Sequence, residues 1–368
     1  MRFLMLNWRD PRNPKTGGAE RVTLAHLKAL VDRGHEVFWF ANDFPGAARE
    51  EIFEGLCLVR GGGYGSSVLA ARKWYRQQPR FDLVMDQHHG IPWYAPWWAG
   101  TNTVAYIHEV LGPIWGAFYK WPLSTLGPWQ ERWTHWLYRK VPFWTPSDST
   151  KQALHRNGVR EVKVILNGID TRPLPALPPK PLTAPVRLIA VSRLAANKRI
   201  DHALRATDLL NQRGVPATLT VVGGGEDEGR LKALAGELAC AGRIRFTGSV
   251  SEAAKNEALR DAHLLLHTSI REGWGLNVTE ANALGTPAVV YPVPGLVDST
   301  VHRETGVVTA EETPDAVAAE VAALLQQPGP YEAYRQAAWA RSKTFQWEQI
   351  LPQVVTWLEG EARRGQRG

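Results

Sequence analysis

Short apolar runs alternate with amphipathic stretches along the chain, and this rhythm predicts its elements. Phe3-Leu4-Met5-Leu6 is apolar at every position, as a strand covered on both faces must be. Gly17-Gly18 precede a helical stretch from Glu20 to Asp32, and Gly34 stands where that helix should stop. Val37-Phe38-Trp39-Phe40 is the second apolar run. Strand, helix and strand in that order predict a βαβ unit and hence a parallel sheet. Further strand-like runs follow at Leu56–Val59, Leu83-Val84-Met85, Thr103–Ile107, Phe143-Trp144 and Val162–Leu166.

Residues 171–186 hold six prolines, Pro173, Pro175, Pro178, Pro179, Pro181 and Pro185. That density excludes helix and central strand and predicts a semi-rigid linker. Beyond it the rhythm restarts. Strands are expected at Arg187–Val191, Thr218–Val222, Ile244–Phe246, His263–His267 and Ala288–Tyr291. Helices are expected at Ile200–Asn211, Glu228–Ala239, Ala253–Asp261 and Val278–Leu284, and the tail from Thr313 to Arg363 reads as mostly helical. The expected class is α/β with two Rossmann-like lobes. The boundaries are 1–170 for an N-terminal, acceptor-side lobe, 171–186 for the linker, 187–345 for a donor lobe and 346–368 for a C-terminal helix and tail.

Composition narrows the field. The chain has 368 residues, enough for two domains, with 44% hydrophobic and 21% charged residues, an ordinary globular balance. Cys57 and Cys240 are its two cysteines, which excludes a disulfide framework and a zinc ligand set. No metal-ligand cluster stands out. The opening MRFLMLNWRD lacks the long apolar core of a secretory signal, and no run reaches the length of a spanning helix, so a cytoplasmic protein is expected. The net charge of +7 suits anionic partners. Its basic residues are scattered and carry no recognition motif, so nucleic acid is not among the expected partners.

The chemistry-bearing residues gather at strand ends, where open α/β sheets bind ligands. Ser192-Arg193-Leu194 and Lys198 follow a strand, and two cations there suit a diphosphate. Taken alone, the pair equally fits a solvated surface. Gly223-Gly224-Gly225 ends another strand, but Glu226, Asp227 and Glu228 follow and would repel a pyrophosphate. This is therefore no dinucleotide fingerprint. In Glu272-Gly273-Trp274-Gly275-Leu276-Asn277-Val278-Thr279-Glu280, a glycine loop opens a helix whose bare amides form an anion site. Glu272 and Glu280 flank it, and carboxylates accept well from sugar hydroxyls.

EGWGLNVTEA followed by ALGTPAVV resembles the signature of the retaining glycosyltransferases of family 4, which have the GT-B fold. The likeness extends along most of the chain and is strongest from 186 to 310. The resemblance implies two lobes facing a deep cleft, with a C-terminal helix returning to the N-terminal lobe. It implies that Arg193 and Lys198 hold the donor diphosphate, that Glu272 orients sugar hydroxyls, and that Glu280 binds the ribose. Ser192 and the loop Gly273, Trp274, Gly275, Leu276 would assist. Thr247–Ser251, with Gly248 and Val250, and Lys255 match the base-contacting loop. Gly17-Gly18 match the N-terminal glycine loop, and His108 matches a strand-end histidine facing the donor sugar. The co-substrate is then a UDP- or GDP-linked sugar, with no cofactor and no metal. The acceptor is a glycan, lipid-linked or envelope precursor. Trp274 stands where the family usually has phenylalanine, and Val297-Asp298 replaces a frequent Pro-Glu. Both departures bear on donor identity. An epimerase or phosphorylase on the same fold, or a non-catalytic binding module, are the alternatives.

Nine of the 16 tryptophans lie between Trp93 and Trp144. Trp129, Trp133 and Trp136 are spaced as one helix face, interleaved with Lys120, Arg132, Arg139 and Lys140. Aromatic and basic residues together suit contact with an anionic membrane, at its inner face, while core packing and stacking on acceptor sugars fit the spacing as well. His88-His89, after a strand, are candidates for the acceptor side.

Overall fold

The computed structural model describes residues 1–364 apart from Tyr64, Pro113 and Pro328. Two compact units make up the chain. One comprises Met1–Gly112, Leu126–Gly168 and the segment from Trp347 onward; the other comprises residues 113–125 and Ile169–Gln346.

The first unit is built on eight strands, β1 (Arg2–Leu6), β2 (Glu36–Ala41), β3 (Glu50–Phe53), β4 (Leu56–Arg60), β5 (Leu83–His88), β6 (Thr103–Ile107), β7 (Phe143–Thr145) and β8 (Val162–Val164). Their spatial order is β3-β4-β2-β1-β5-β6-β7-β8, parallel except for the β3–β4 hairpin. Phe3 stands in register with Val37 on one side and Leu83 on the other. The strands are apolar at successive positions because both faces are covered. Phe3 and Met5 pack with Leu27 and Leu30 of the Gly18–Asp32 helix and with Ile350, Val354 and Leu358 of the Trp347–Arg364 helix. Leu4 and Leu6 pack with Ala71 and Trp74 of the Ser67–Tyr75 helix. The C-terminal helix thus belongs to this unit. The run Val162–Leu166 is strand only to Val164, because β8 is the edge of the sheet and Ile165 turns into the core.

The second unit holds a six-stranded parallel sheet of β9 (Val186–Val191), β10 (Ala217–Val222), β11 (Ile244–Gly248), β12 (Leu264–His267), β13 (Ala288–Val290) and β14 (Gly306–Val308). The order is β11-β10-β9-β12-β13-β14. After β9 the chain moves outward through β10 and β11, then crosses back to place β12 on the other side. The loops leaving β9 and β12 therefore diverge, which opens a crevice at the carboxyl ends of these two strands.

The proline-rich segment lies against this second unit. Lys180 Nζ donates to Arg260 O, Ala262 O and Thr286 Oγ1 at 2.9, 2.8 and 2.7 Å, and burial and then Arg335 push its pKa down to about 7. Trp339 Nε1 donates to Leu174 O at 2.8 Å. Among the described residues no helix is long and apolar enough to cross a membrane.

Candidate functional site

The crevice between β9 and β12 brings together Lys198 and Glu272, and Arg193 stands in the loop that leaves β9. Lys198 Nζ lies 2.5 Å from Glu272 Oε1. The same oxygen accepts from Ser269 Oγ at 2.7 Å and faces His267 Nε2 at 3.7 Å. Burial by itself would raise the Glu272 pKa, but Lys198 and then His267 overcome it and hold the carboxylate below its ordinary range. Burial pushes His267 down to about 4, against the pull of Glu272, so its imidazole is neutral at pH 7. Arg193 is exposed and makes no ion pair among the described residues. Its guanidinium is the uncommitted cation of the loop.

Three glycines hold this crevice in shape. A Cβ on Gly223, with φ +124, would sit 1.9 Å from Ser192 O, and one on Gly225 would sit 2.3 Å from Leu194 O. The 192–194 loop is laced to them by Ser192 N→Val222 O and Leu194 N→Gly224 O, at 3.1 and 2.9 Å. Gly223 N donates to Gly248 O at 2.9 Å, which joins the loop after β11 to the set. So Gly223-Gly224-Gly225 act as packing joints between the Arg193 loop and the Gly248 loop. Two of the three acids after them are neutralised locally: Asp227 takes a double contact from Arg230 at 2.7 and 2.6 Å, and Glu228 pairs with Lys232 at 2.7 Å. Gly295 is the third joint. At φ +80, its Cβ would lie 2.1 Å from Glu272 O.

The Leu276–Ala283 helix begins after Gly275, a left-handed residue with no capping side chain. The amides of Gly273, Trp274, Gly275, Leu276 and Asn277 have no acceptor among the described residues. Unpaired amides at a helix start form a positive, donor-rich end suited to an anion. The Asn277 side chain donates to Val191 O and clamps this helix to the end of β9. Trp274 contributes only main chain here. Its ring is buried, edge-on to Phe345 at 5.4 Å, so the side chain is core.

Glu280 lies buried one turn further on and pairs with Lys255 at 2.8 Å; Lys255 also meets Glu252 at 2.7 Å. Val250 stays 39% exposed, next to Gly248 and at the start of the Glu252–Asp261 helix, which Ser251 caps through Ala254 N at 3.2 Å. Ser192 Oγ is buried and unpartnered. The sequence signals named these positions; Ser269, His267, Asn277 and Gly295 were missed. A glycine at the start of a short helix, Gly295-Leu296, was the one available hint.

In the first unit, Gly17 caps the Gly18–Asp32 helix. Its amide donates to Glu20 Oε2 at 2.8 Å, and Arg9 pairs with Glu20 at 3.2 Å. His108 directly follows β6, its ring 4.7 Å from that of Tyr106, with a buried, unpartnered Nε2. Burial and then His89 push His108 down to about 3. His88 is core, packed on Tyr138 and Phe143, and only His89 is exposed. The tryptophan segment divides likewise. Trp93 and Trp144 are fully buried, while Trp97, Trp121, Trp129, Trp133 and Trp136 are exposed. Arg139 stacks on Trp136 at 4.1 Å.

Comparison with known proteins agrees with this fold. The family model of the glycosyl transferases group 1 matches residues 179–341, and that of Glycosyltransferase Family 4 matches residues 16–173. A glycogen synthase of Mycobacterium tuberculosis is 30% identical over 211 residues, 57% of this chain and 51% of the relative. A GDP-mannose-dependent alpha-(1-6)-phosphatidylinositol dimannoside mannosyltransferase of the same species is 29% identical over 174 residues, 47% of this chain and 44% of the relative. The chain thus spans about half the length of the curated relatives it matches. Among solved structures, the Anabaena protein HepE in complex with UDP and glucose superposes with a TM-score of 0.72 at 19% identity, covering 98% of this chain and 100% of that one. Sucrose-phosphate synthase of Thermosynechococcus elongatus gives 0.79 at 17% identity, covering 98% of both chains. Two family models that together run through both units, on a fold of two parallel sheets, place the chain: it belongs to the GT-B glycosyltransferases of the family 4 type.

Proposed function

We propose that this protein transfers a sugar from a UDP- or GDP-linked donor to a glycan or lipid-linked acceptor, with retention of anomeric configuration and without a metal. The observation that carries the reading is the row of unpaired amides from Gly273 to Asn277, on a helix that Asn277 clamps to Val191 O at the end of the strand leading to the exposed Arg193, a cradle for a diphosphate. Arg193 and Lys198 would neutralise charge on the departing nucleotide, which stabilises the transition state more than the bound donor. Those two cations and a helix end supply what a divalent ion would otherwise supply. Glu272, freed from Lys198, would accept from donor-sugar hydroxyls, and Glu280 from the ribose. Gly248, Val250 and Lys255 would border the base, and Ser192 Oγ would find a partner in the diphosphate. His108 and the Gly17-Gly18 loop would serve the reacting sugars from the first unit. The exposed tryptophans of residues 93–144 would meet an anionic membrane at its cytoplasmic face.

The relatives support a nucleotide-sugar donor: one is named for GDP-mannose, and a structural neighbour holds UDP. Thermal-shift titration with UDP, GDP and ADP tests the reading. A ligand at a hundredfold its Kd stabilises by roughly 2.7 kcal/mol. The expected result is a shift with UDP or GDP, kept in EDTA and lost in Arg193→Ala and Glu280→Ala. Well-folded protein that responds to no nucleotide would overturn it.

A further inference from the structure

We infer that the outward face of the Ser67–Tyr75 helix is a headgroup site for anionic lipid, and that with the exposed tryptophans of the Leu123–Leu137 helix it forms one bilayer-docking surface. A shallow, open groove on this face is lined by Leu69, Arg72, Lys73, Arg76 and Gln77. From Ser67 to Arg80 the chain carries Arg72, Lys73, Arg76 and Arg80 and no acidic residue. None of these four side chains makes an ion pair or a hydrogen bond among the described residues. Elsewhere in the first unit cations are commonly matched, as Arg60 is by Asp10 at 2.6 Å and Arg2 by Glu36 at 2.5 Å. Four uncompensated charges on one short segment, with Leu69 left 68% exposed among them, have no evident use within the unit.

The fold places this groove and the tryptophan helix on the same side of the sheet. The Ser67–Tyr75 helix packs through Trp74 on the face that presents Leu4, Leu6 and Val84. Tyr138, at the end of the Leu123–Leu137 helix, packs on Ala105 and Ile107. The β5–β6 register pairs Asp86 with Ala105, and Asp86 shares its face with Val84, two residues before it. Both helices therefore cover one face. The turn between them closes the gap: Tyr75 meets Trp98 at 5.4 Å, and Trp97 meets Tyr138 at 4.9 Å. Across this layer Leu69, Trp97, Leu126, Trp129, Trp133 and Trp136 are exposed. A soluble polyanion would use the cations and leave those apolar side chains in water. A bilayer surface uses both, with phosphates on the guanidinium groups and indoles at the headgroup level.

The inference rests on the proposed lipid-linked acceptor only for its purpose; the surface itself is tested separately. Full-length protein is co-sedimented with vesicles of phosphatidylcholine, and with vesicles of phosphatidylcholine and phosphatidylglycerol. The wild type is expected to pellet with the second and not the first, and to be released by salt. At about 1 kcal/mol per basic residue near an anionic surface, Arg72→Gln with Lys73→Gln and Arg76→Gln should weaken the partition about a hundredfold. Trp129→Ser with Trp133→Ser should weaken it too. The thermal response to UDP and GDP, read on the same proteins, should be unchanged in the triple variant. That separates failure of this surface from failure of the transferase reading. Equal pelleting with neutral vesicles, or a triple variant that pellets like the wild type, would overturn the headgroup site. Capture of soluble glycerol phosphate without vesicle binding would also overturn it, and would assign the groove to a soluble phosphorylated ligand.

Discussion

Lys198 Nζ and Glu272 Oε1 form a 2.5 Å ion pair across the crevice between β9 and β12. Each is thereby held by the other, and a donor that reaches both must share them. Lys198→Ala removes a charge-assisted contact to phosphate and should weaken UDP or GDP binding by roughly 1.5–3 kcal/mol, about 10- to 150-fold. Glu272→Ala leaves Lys198 fully available to the diphosphate. Nucleotide affinity should hold or rise while transfer falls by roughly a hundredfold or more, since sugar orientation is lost. Calorimetry with the nucleotide and initial rates with the nucleotide sugar separate the two effects. Loss of nucleotide binding in Glu272→Ala would count against this division of labour.

Gly295 bears on the same carboxylate through the backbone. An added Cβ would press on Glu272 O at a left-handed residue, so Gly295→Ala should cost about 1–3 kcal/mol in urea unfolding and shift Glu272 out of place. Gly229 gives the contrast. It lies in the Glu228–Glu237 helix, where a Cβ would meet nothing within 4 Å, and Gly229→Ala should stabilise by about 0.5–1 kcal/mol. Equal effects at the two positions would refute the steric account.

The two glycines also show what the sequence could and could not disclose. The parallel strands were legible because a strand covered on both faces is apolar throughout, as Phe3–Leu6 and Ile189–Val191 are. The crevice was legible because Arg193, Lys198, Glu272 and Glu280 sit directly after strands or in the first turns of a helix. Gly223 and Gly225 were set aside as a dinucleotide fingerprint because acids follow them, and only their contacts with Ser192 O and Leu194 O reveal packing joints. Gly295 offered no more than the hint of a glycine before a short helix, because its partner, Glu272, is distant in sequence. Trp129 and Trp144 share a residue type and a segment, yet one is exposed and the other core. Period alone identifies a face and does not say what the face meets.

Buried neutral histidines set the acid limit. His26 and His108 are pushed down to about 3 and His135 and His267 to about 4, in each case first by burial. The unfolded chain takes up these protons near the ordinary histidine value of 6.5, while the folded chain refuses them until pH 3–4. Between those limits the unfolded state binds more protons, so stability falls as pH is lowered. At pH 5 each such histidine costs about 2 kcal/mol relative to pH 8. Urea midpoints should drop steeply from pH 7 to pH 5, and His26→Phe should flatten the curve. A midpoint indifferent to pH over that range would contradict the burial of these rings.

Glu131 ties the tryptophan helix to the loop that follows His108. Its Oε1 accepts from Leu111 N at 2.7 Å and its Oε2 from Gly112 N at 3.0 Å, and the side chain is buried. Glu131→Ala would leave both amides without their acceptor, at a cost of roughly 1–3 kcal/mol for each buried group. Glu131→Gln keeps the shape but retains one acceptor oxygen, and its NH2 group would face an amide that also donates. It should therefore fall between wild type and alanine. Hydrogen exchange reads the site directly, because the Leu111 and Gly112 amides should lose protection in both variants, more in alanine. If their exchange is unchanged, the carboxylate does not hold the loop, and the outward-facing Trp129 and Trp133 have no mechanical link to His108.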